Sequence, residues 1–156
     1  TLFRSNLAYN IPVYLHIDLR EDNINALMFW WYASTCRHLG VGGKHPDPKI
    51  WQVHKNAMQD YLRLKPFFTQ GVFYGIEEAF HAHTLSDQNL CVIVCFNLLD
   101  STDPLTFQFD LSEVGLSEGL TYNIIGADLA VRNGNVINIS VAIPNHSAKV
   151  IEIYPK

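Results

Sequence analysis

The hydrophobic pattern of this chain changes part-way along, from a strand-helix-strand-helix order in residues 10–68 to alternating strands in residues 75–154. Residues 11–18 form a short apolar run that ends on a carboxylate, which is typical of a buried parallel strand. Residues 39–43 predict a short, glycine-rich second strand. Because parallel strands need protein on both faces, a single unit of this kind cannot cover itself. We therefore expect the chain to be the back end of a larger protein.

Two helices are predicted in the first part of the chain. The first covers residues 23–38 and is apolar nearly all round, which is the pattern of a helix buried on several sides. The second covers residues 47–64 and starts on Asp47-Pro48, a capping residue followed by a proline at the first helical position. Pro66 is expected to end it. The inward face of this second helix is predicted to carry Ile50, Trp51, His54, Met58, Tyr61 and Leu62.

The second part of the chain has the pattern of an antiparallel β-domain. Residues 107–111 and 137–143 alternate apolar and polar positions, as strands do when one face lies on a core and the other in water. Residues 90–96 are apolar on both faces and predict a central strand, paired with residues 78–85 through a turn at residues 86–89. Further turn signals complete six or seven short strands, enough for a small sandwich.

Together these patterns predict an α+β chain with three parts. The order of elements in residues 6–74 resembles the last units of a (β/α)₈ (TIM) barrel, and residues 75–156 are predicted to form an antiparallel β-sandwich domain. Residues 1–5 match the translated end of a common sequencing adapter, so we expect a library scar on a metagenomic fragment. The alternative for these five residues is an ordinary N-terminal segment.

Composition and charge narrow the classes of partner. The chain has 156 residues, of which 48% are hydrophobic and 17% charged, so a globular fold is expected. The net charge is −4 and the 11 lysines and arginines are scattered, which argues against a nucleic-acid partner. The longest apolar stretch, residues 26–33, is far shorter than the ~20 residues of a membrane span, so no membrane partner is expected. The sequence leaves the localisation unknown.

Three cysteines are present, an odd number without metal-like spacing. Cys91 and Cys95 are four residues apart on a predicted strand, about 13 Å at ~3.3 Å per residue, too far for a disulfide between them. Cys36 lies among apolar neighbours on the first predicted helix. We interpret all three as buried free thiols, because free cysteine behaves as a small hydrophobe.

Two groups of segments resemble bacterial glycoside hydrolases related to α-galactosidases. The end of the catalytic barrel in these enzymes resembles residues 16–20, the aromatic run 29–32 and residues 36–40. The C-terminal β-domain that follows such barrels resembles residues 96–98, 110–116 and 143–153. The resemblance implies an intact parent that hydrolyses O-glycosidic bonds, with a carbohydrate substrate and the rest of the barrel as its partners. It implies no cofactor. It also implies that the catalytic carboxylates lie upstream of this fragment, so the fragment by itself is expected to be inactive.

The carboxylates of the chain itself do not form a convincing catalytic pair. Glycoside hydrolysis needs two carboxyl groups that flank the scissile bond. Glu77 and Glu78 are neighbours on a predicted strand, and such neighbours point to opposite faces. The catalytic residues are therefore unknown from this sequence.

Four residues are candidates for substrate binding. Asp18 and Arg20 lie where a barrel strand becomes its following loop, the face on which barrel active sites are built. Lys44 and His45 follow the last predicted strand and share that logic. A carboxylate can accept hydrogen bonds from sugar hydroxyls, and cationic groups can donate them. The alternatives are an Asp18–Arg20 ion pair and a solvated loop at Lys44 and His45.

His81 and His83 alternate on one face of a predicted strand. Two imidazoles could in principle face a metal, but two ligands without a third are insufficient for a zinc site. We therefore predict no metal site and interpret these histidines as surface or interdomain packing.

Two further functions are compatible with the β-domain. It could be a self-sufficient carbohydrate-binding module, or a structural brace for the barrel without a ligand of its own. A binding module usually displays a row of solvent-facing aromatic residues, whereas the outward positions Gln108, Asn138 and Ser140 are polar. The pattern favours the brace.

Overall fold

The computed structural model describes residues 16–17, 24, 40–41 and 44–156. The elements in chain order are β1 (His16–Ile17), β2 (Gly40–Val41), α1 (Pro48–Gln70), β3 (Val72–Tyr74), β4 (Phe80–Leu85), β5 (Leu90–Phe96), β6 (Leu105–Asp110), β7 (Tyr122–Ile125), β8 (Leu129–Asn133), β9 (Val136–Val141) and β10 (Ala148–Pro155). A single 3₁₀ turn, Ser86–Gln88, joins β4 to β5. The α+β class is confirmed.

Strands β1 and β2 pair in parallel, with His16 opposite Gly40 and Ile17 opposite Val41. This pairing confirms that the two predicted strands of the first part lie side by side. Most of the predicted strand over residues 11–18 and of the predicted helix over residues 23–38 lies outside the described residues.

Helix α1 begins where the sequence predicts. The Oδ1 of Asp47 accepts a hydrogen bond of 2.7 Å from the backbone N–H of Lys49, and Pro48 occupies the first turn, where its missing N–H costs nothing. The predicted end is wrong, because the helix continues through Pro66 to Gln70. Pro66 deprives the carbonyl of Leu62 of its donor, but both residues are exposed, so water can replace that donor.

Eight strands form two antiparallel sheets. The five-stranded sheet has the order β3-β4-β5-β10-β7, and the three-stranded sheet has the order β6-β9-β8. Strand β5 lies between β4 and β10 and has the bounds that the sequence predicts, so the central-strand prediction is confirmed. Strand β4 begins two residues later than predicted, which leaves Glu77 and Glu78 in an exposed segment before it.

The main hydrophobic core lies between the two sheets. The five-stranded sheet contributes Phe80, Ala82, Cys91, Ile93, Cys95, Ile151 and Ile153, and the three-stranded sheet contributes Phe107, Phe109, Ile137, Ile139 and Val141. Cys91 and Cys95 are buried free thiols, as predicted, and burial raises the pKa of each to about 12. Cys36 lies outside the described residues.

Helix α1 covers the other face of the five-stranded sheet. Its contact with that sheet joins Ala57, Tyr61, Leu64 and Phe68 of the helix to Val92, Val94, Phe96 and Ala148 of the sheet. The described chain from α1 onward therefore has three layers: helix, five-stranded sheet and three-stranded sheet. Burial on both sides explains why β5 is apolar at every position. The contact crosses the domain boundary predicted after residue 74.

Candidate functional site

The four candidate substrate-binding residues are only partly within the described part of the chain. Asp18 and Arg20 lie outside it. Lys44 is exposed, whereas His45 is only 7% exposed. Their assignment to a sugar site therefore stays a prediction, and it rests on the sequence resemblance.

His45 belongs to the N-terminal cap of α1. Its Nδ1 accepts a hydrogen bond of 3.0 Å from the backbone N–H of Asp47, the residue whose carboxylate caps the helix. An accepting Nδ1 places the proton of the neutral imidazole on Nε2. Nearly two turns into the helix, the pKa of His54 is lowered first by burial and second by an electrostatic contribution from His45. The candidate substrate residue His45 is therefore held by the N-terminal cap of α1 and also affects His54 on the buried side of the helix.

A second group of polar side chains lies under the other end of α1. His81 and His83 of β4 point to the helix-facing side of the five-stranded sheet, and we call them the histidine pair. Their ring centroids are 5.2 Å apart in an edge-on arrangement. Phe73 of β3 contacts both rings at 5.3 Å, and Phe68 of α1 contacts His83 edge-on at 5.0 Å. His81 also lies 5.6 Å from the ring of Phe96.

The environment of His83 disfavours its charged form. The residue is 2% exposed, and its Nε2 is buried with no hydrogen-bond partner in the described part of the chain. Burial lowers the pKa of His83 from 6.5 to about 3, because aromatic rings cannot replace the hydration of an imidazolium. His83 is therefore neutral at neutral pH. Among the described residues, no group of three or more His, Cys, Asp or Glu is arranged to hold a metal ion.

The histidine pair thus packs between α1 and β4. Both rings are buried, so a surface position, one of the two interpretations given above, is wrong, and packing is the interpretation that agrees with the structure. Sequence reasoning identified His81 and His83 by their alternation but missed their aromatic surroundings. Phe68 lies beyond the predicted end of the helix, so the prediction did not place it against β4. The signal available was the apolar character of residues 67–68 directly after Pro66.

The outer face of the three-stranded sheet is polar at its centre. Gln108 of β6 donates from Nε2 to Oδ1 of Asn138 of β9 over 3.2 Å, and both side chains are exposed. Leu129 and Val131 of the edge strand β8 are 60% and 51% exposed. Among the described outward residues of β6, β8 and β9 none is aromatic. This face lacks the aromatic row that a sugar-binding module displays.

No helix within the described residues is both long enough and apolar enough to span a membrane.

The fold has counterparts among solved glycoside hydrolases. The α-amylase of Geobacillus thermoleovorans, solved in complex with acarbose, matches with a TM-score of 0.63 and 13% identity over 98% of this chain and 43% of its own. An Anoxybacillus α-amylase, whose structure gave insights into a new glycosyl hydrolase subclass, matches with a TM-score of 0.51 and 11% identity over 85% of this chain and 32% of its own. No protein-family model and no curated protein matches the chain.

At these identities the likeness is one of fold. This chain has the fold of part of a glycoside hydrolase, as the sequence resemblance implied, and it spans less than half the length of either α-amylase.

Proposed function

We propose that this chain is the C-terminal part of a glycoside hydrolase whose intact form hydrolyses O-glycosidic bonds in a carbohydrate. The observation that carries this proposal is the match of 98% of the chain to 43% of an α-amylase with a TM-score of 0.63. The sequence resemblance, which was drawn from other features, supports the same class of enzyme. In this proposal residues 6–74 close the catalytic barrel, and residues 75–156 form the domain that follows it.

The catalytic carboxylates belong upstream in this proposal. Asp18, Arg20, Lys44 and His45 would then lie at the mouth of the barrel and bind sugar hydroxyls, because barrel active sites are built on the loops that follow the strands. The exposure of Lys44 and the anchoring of His45 in the cap of α1 support a fixed loop at that position. The rest of the barrel is the proposed partner of this chain.

Within the parent, we assign the β-sandwich the role of a structural brace. The five-stranded sheet uses both faces for packing, one against α1 and one against the three-stranded sheet. The outward face of the three-stranded sheet carries polar and aliphatic side chains. Both observations favour a brace over a carbohydrate-binding module.

The test of the enzymatic role compares the parent with this fragment. The upstream coding sequence is recovered from the source DNA, and both proteins are assayed on starch and a panel of aryl glycosides. We expect turnover by the parent and none by the fragment, because the general acid and the nucleophile must act together. The double variant E77Q/E78Q of the parent is the control and should retain full activity, since both residues lie in an exposed segment outside the proposed machinery.

Two results would contradict the proposal. Turnover by the fragment alone would place the catalytic carboxylates within these residues. An upstream sequence without barrel strands that end in carboxylates would remove the basis for a glycosidase. Retardation of the fragment in gels that contain polysaccharide would favour the carbohydrate-binding alternative instead.

A further inference from the structure

The histidine pair places two titratable rings inside the contact between α1 and the five-stranded sheet. Helix–sheet contacts are normally formed by aliphatic side chains. In this contact the aliphatic side chains include Val92, Val94 and Leu64. The end of the contact nearest to Phe68 instead encloses two titratable rings, which lie 5.2 Å apart. Two protonated imidazoles at that separation would repel each other in surroundings that screen charge poorly.

Among the described residues, the groups that face His83 offer it no counter-charge. Phe68 covers it from α1, Phe73 covers it from β3, Val92 lies opposite it on β5, and His81 is its neighbour on β4. Tyr61 of α1 is a further titratable residue of this contact, and its ring stacks on Phe68 with the centroids 5.9 Å apart.

Within the described residues, a cluster of three charged side chains lies at the rim of the helix–sheet contact. Arg63 of α1 pairs with Glu152 of β10 at 2.7 Å and with Asp60 of its own helix at 3.5 Å. Arg63 is 51% exposed, so this cluster lies at the edge of the contact. Within the part of the chain that the structure describes, an imidazolium at His83 would therefore depend on water, and water can reach it when Phe68 separates from β4.

We propose that the histidine pair makes the contact between α1 and β4 an acid-labile joint. Proton uptake by His83 releases the second half of α1 from the sheet, while the core between the two sheets stays formed. The core is independent of this step because His83 and the residues of that core lie on opposite faces of the five-stranded sheet. The joint is a property of the described contact and does not depend on the glycosidase assignment.

The direction of the pH effect follows from proton linkage. In the closed state, with α1 packed on β4, His83 stays neutral down to about pH 3. In the open state, with the second half of α1 released, His83 titrates near 6.5. The closed state is therefore fully favoured above about pH 6.5 and loses stability as the pH falls towards 3. The equilibrium constant for opening should be about 100-fold larger at pH 4.5 than at pH 7.5. Each of the two pH units between 6.5 and 4.5 contributes roughly a factor of ten.

Hydrogen exchange on the full 156-residue chain tests the joint. Protection of the backbone amides is compared at pH 7.5 and pH 4.5, after correction for intrinsic exchange rates, in peptides from α1 and from β9. We expect the second half of α1 to lose protection by about 100-fold while β9 keeps its own. In His83→Leu, which cannot take up the proton, the loss in α1 should shrink to about tenfold or less. His146→Gln removes an exposed histidine that pairs with Asp100 at 2.7 Å and should behave as the unaltered chain does.

Equal loss of protection in α1 of the unaltered chain and of His83→Leu would overturn the proposal. So would simultaneous loss in α1 and β9, which would indicate global unfolding. If His83→Leu does not fold, an NMR titration of the unaltered chain decides. The chemical shift of the Cε1 proton of His83 should change only in the pH range in which the α1 signals also change. Titration of this proton near pH 6.5 while α1 keeps its signals would contradict the proposal.

Discussion

A single buried amide, that of Asn97, organises the loop between β5 and β6. Its Nδ2 donates to the carbonyl of Ser101 at 2.7 Å and to that of Ile143 at 2.9 Å, and its Oδ1 accepts from the N–H of Leu99 at 2.9 Å. The residue is 7% exposed, so water cannot replace these partners without a change in the loop. The sequence resemblance included residues 96–98, but only the folded chain shows why an amide is needed there.

Replacing this amide should destabilise the fold. We expect Asn97→Ala to lower the free energy of unfolding by ~1–3 kcal/mol, because it leaves buried backbone groups without partners. Urea denaturation measures the change. Gln108→Ala is the matched control, since it removes an exposed amide hydrogen bond and should cost within about 0.5 kcal/mol. Equal effects of the two substitutions would contradict this account.

At the scale of elements, the residues that the sequence pattern places on the buried face of α1 differ in part from the residues that the packing buries. The predicted inward face correctly includes Ile50, His54 and Tyr61, but it also includes Leu62, which is 57% exposed. The position that is buried instead is Leu64, at 1% exposure. Apolar residues cover a wide sector of this helix, and the position of the sheet decides which part of that sector becomes the centre of the contact.

The two leucines provide a matched pair of substitutions in one helix. Leu64→Ala should lower the free energy of unfolding by ~2–5 kcal/mol, because it removes a fully buried side chain and leaves a cavity. Leu62→Ala should change it by no more than about 0.5 kcal/mol, since the side chain lies mostly in water. Chemical denaturation monitored by far-UV circular dichroism measures both. A larger effect at Leu62 would show that the helix packs through the face that the sequence predicted.

At the scale of the whole molecule, the contact of α1 with the five-stranded sheet bears on where a stable unit begins. The predicted boundary after residue 74 assigns α1 to the barrel and the sheets to the β-domain. Helix α1 nevertheless shares a buried cluster with Val92, Val94, Phe96 and Ala148 of the sheet. We propose that residues 44–156 form the more stable unit, whichever domain α1 belongs to in the parent.

Two truncated chains test this boundary. The fragment over residues 75–156 keeps the core between the sheets but exposes the apolar face that α1 covers, so it should bind a hydrophobic dye. Its melting temperature should be at least ~10 °C below that of residues 44–156, since each kcal/mol lost moves a domain of this size by about 4–8 °C. Cooperative melts of both fragments at the same temperature, without dye binding, would favour the boundary after residue 74.

The sequence by itself determined three strands of the sandwich, the start of α1 and the burial of two thiols. Alternation over residues 107–111 and 137–143 is a local pattern with the period of two that strands have. The apolar run of β5 has no such period, and its short length between turn signals is what predicts a strand there. The cap at Asp47-Pro48 is equally local. Only the tertiary structure decided that α1 continues past Pro66, that Leu64 is buried in preference to Leu62, and that Phe68 covers His83. Each of these depends on contacts between residues far apart in the chain, and burial of Phe68 against β4 stabilises a helix end that local propensity disfavours.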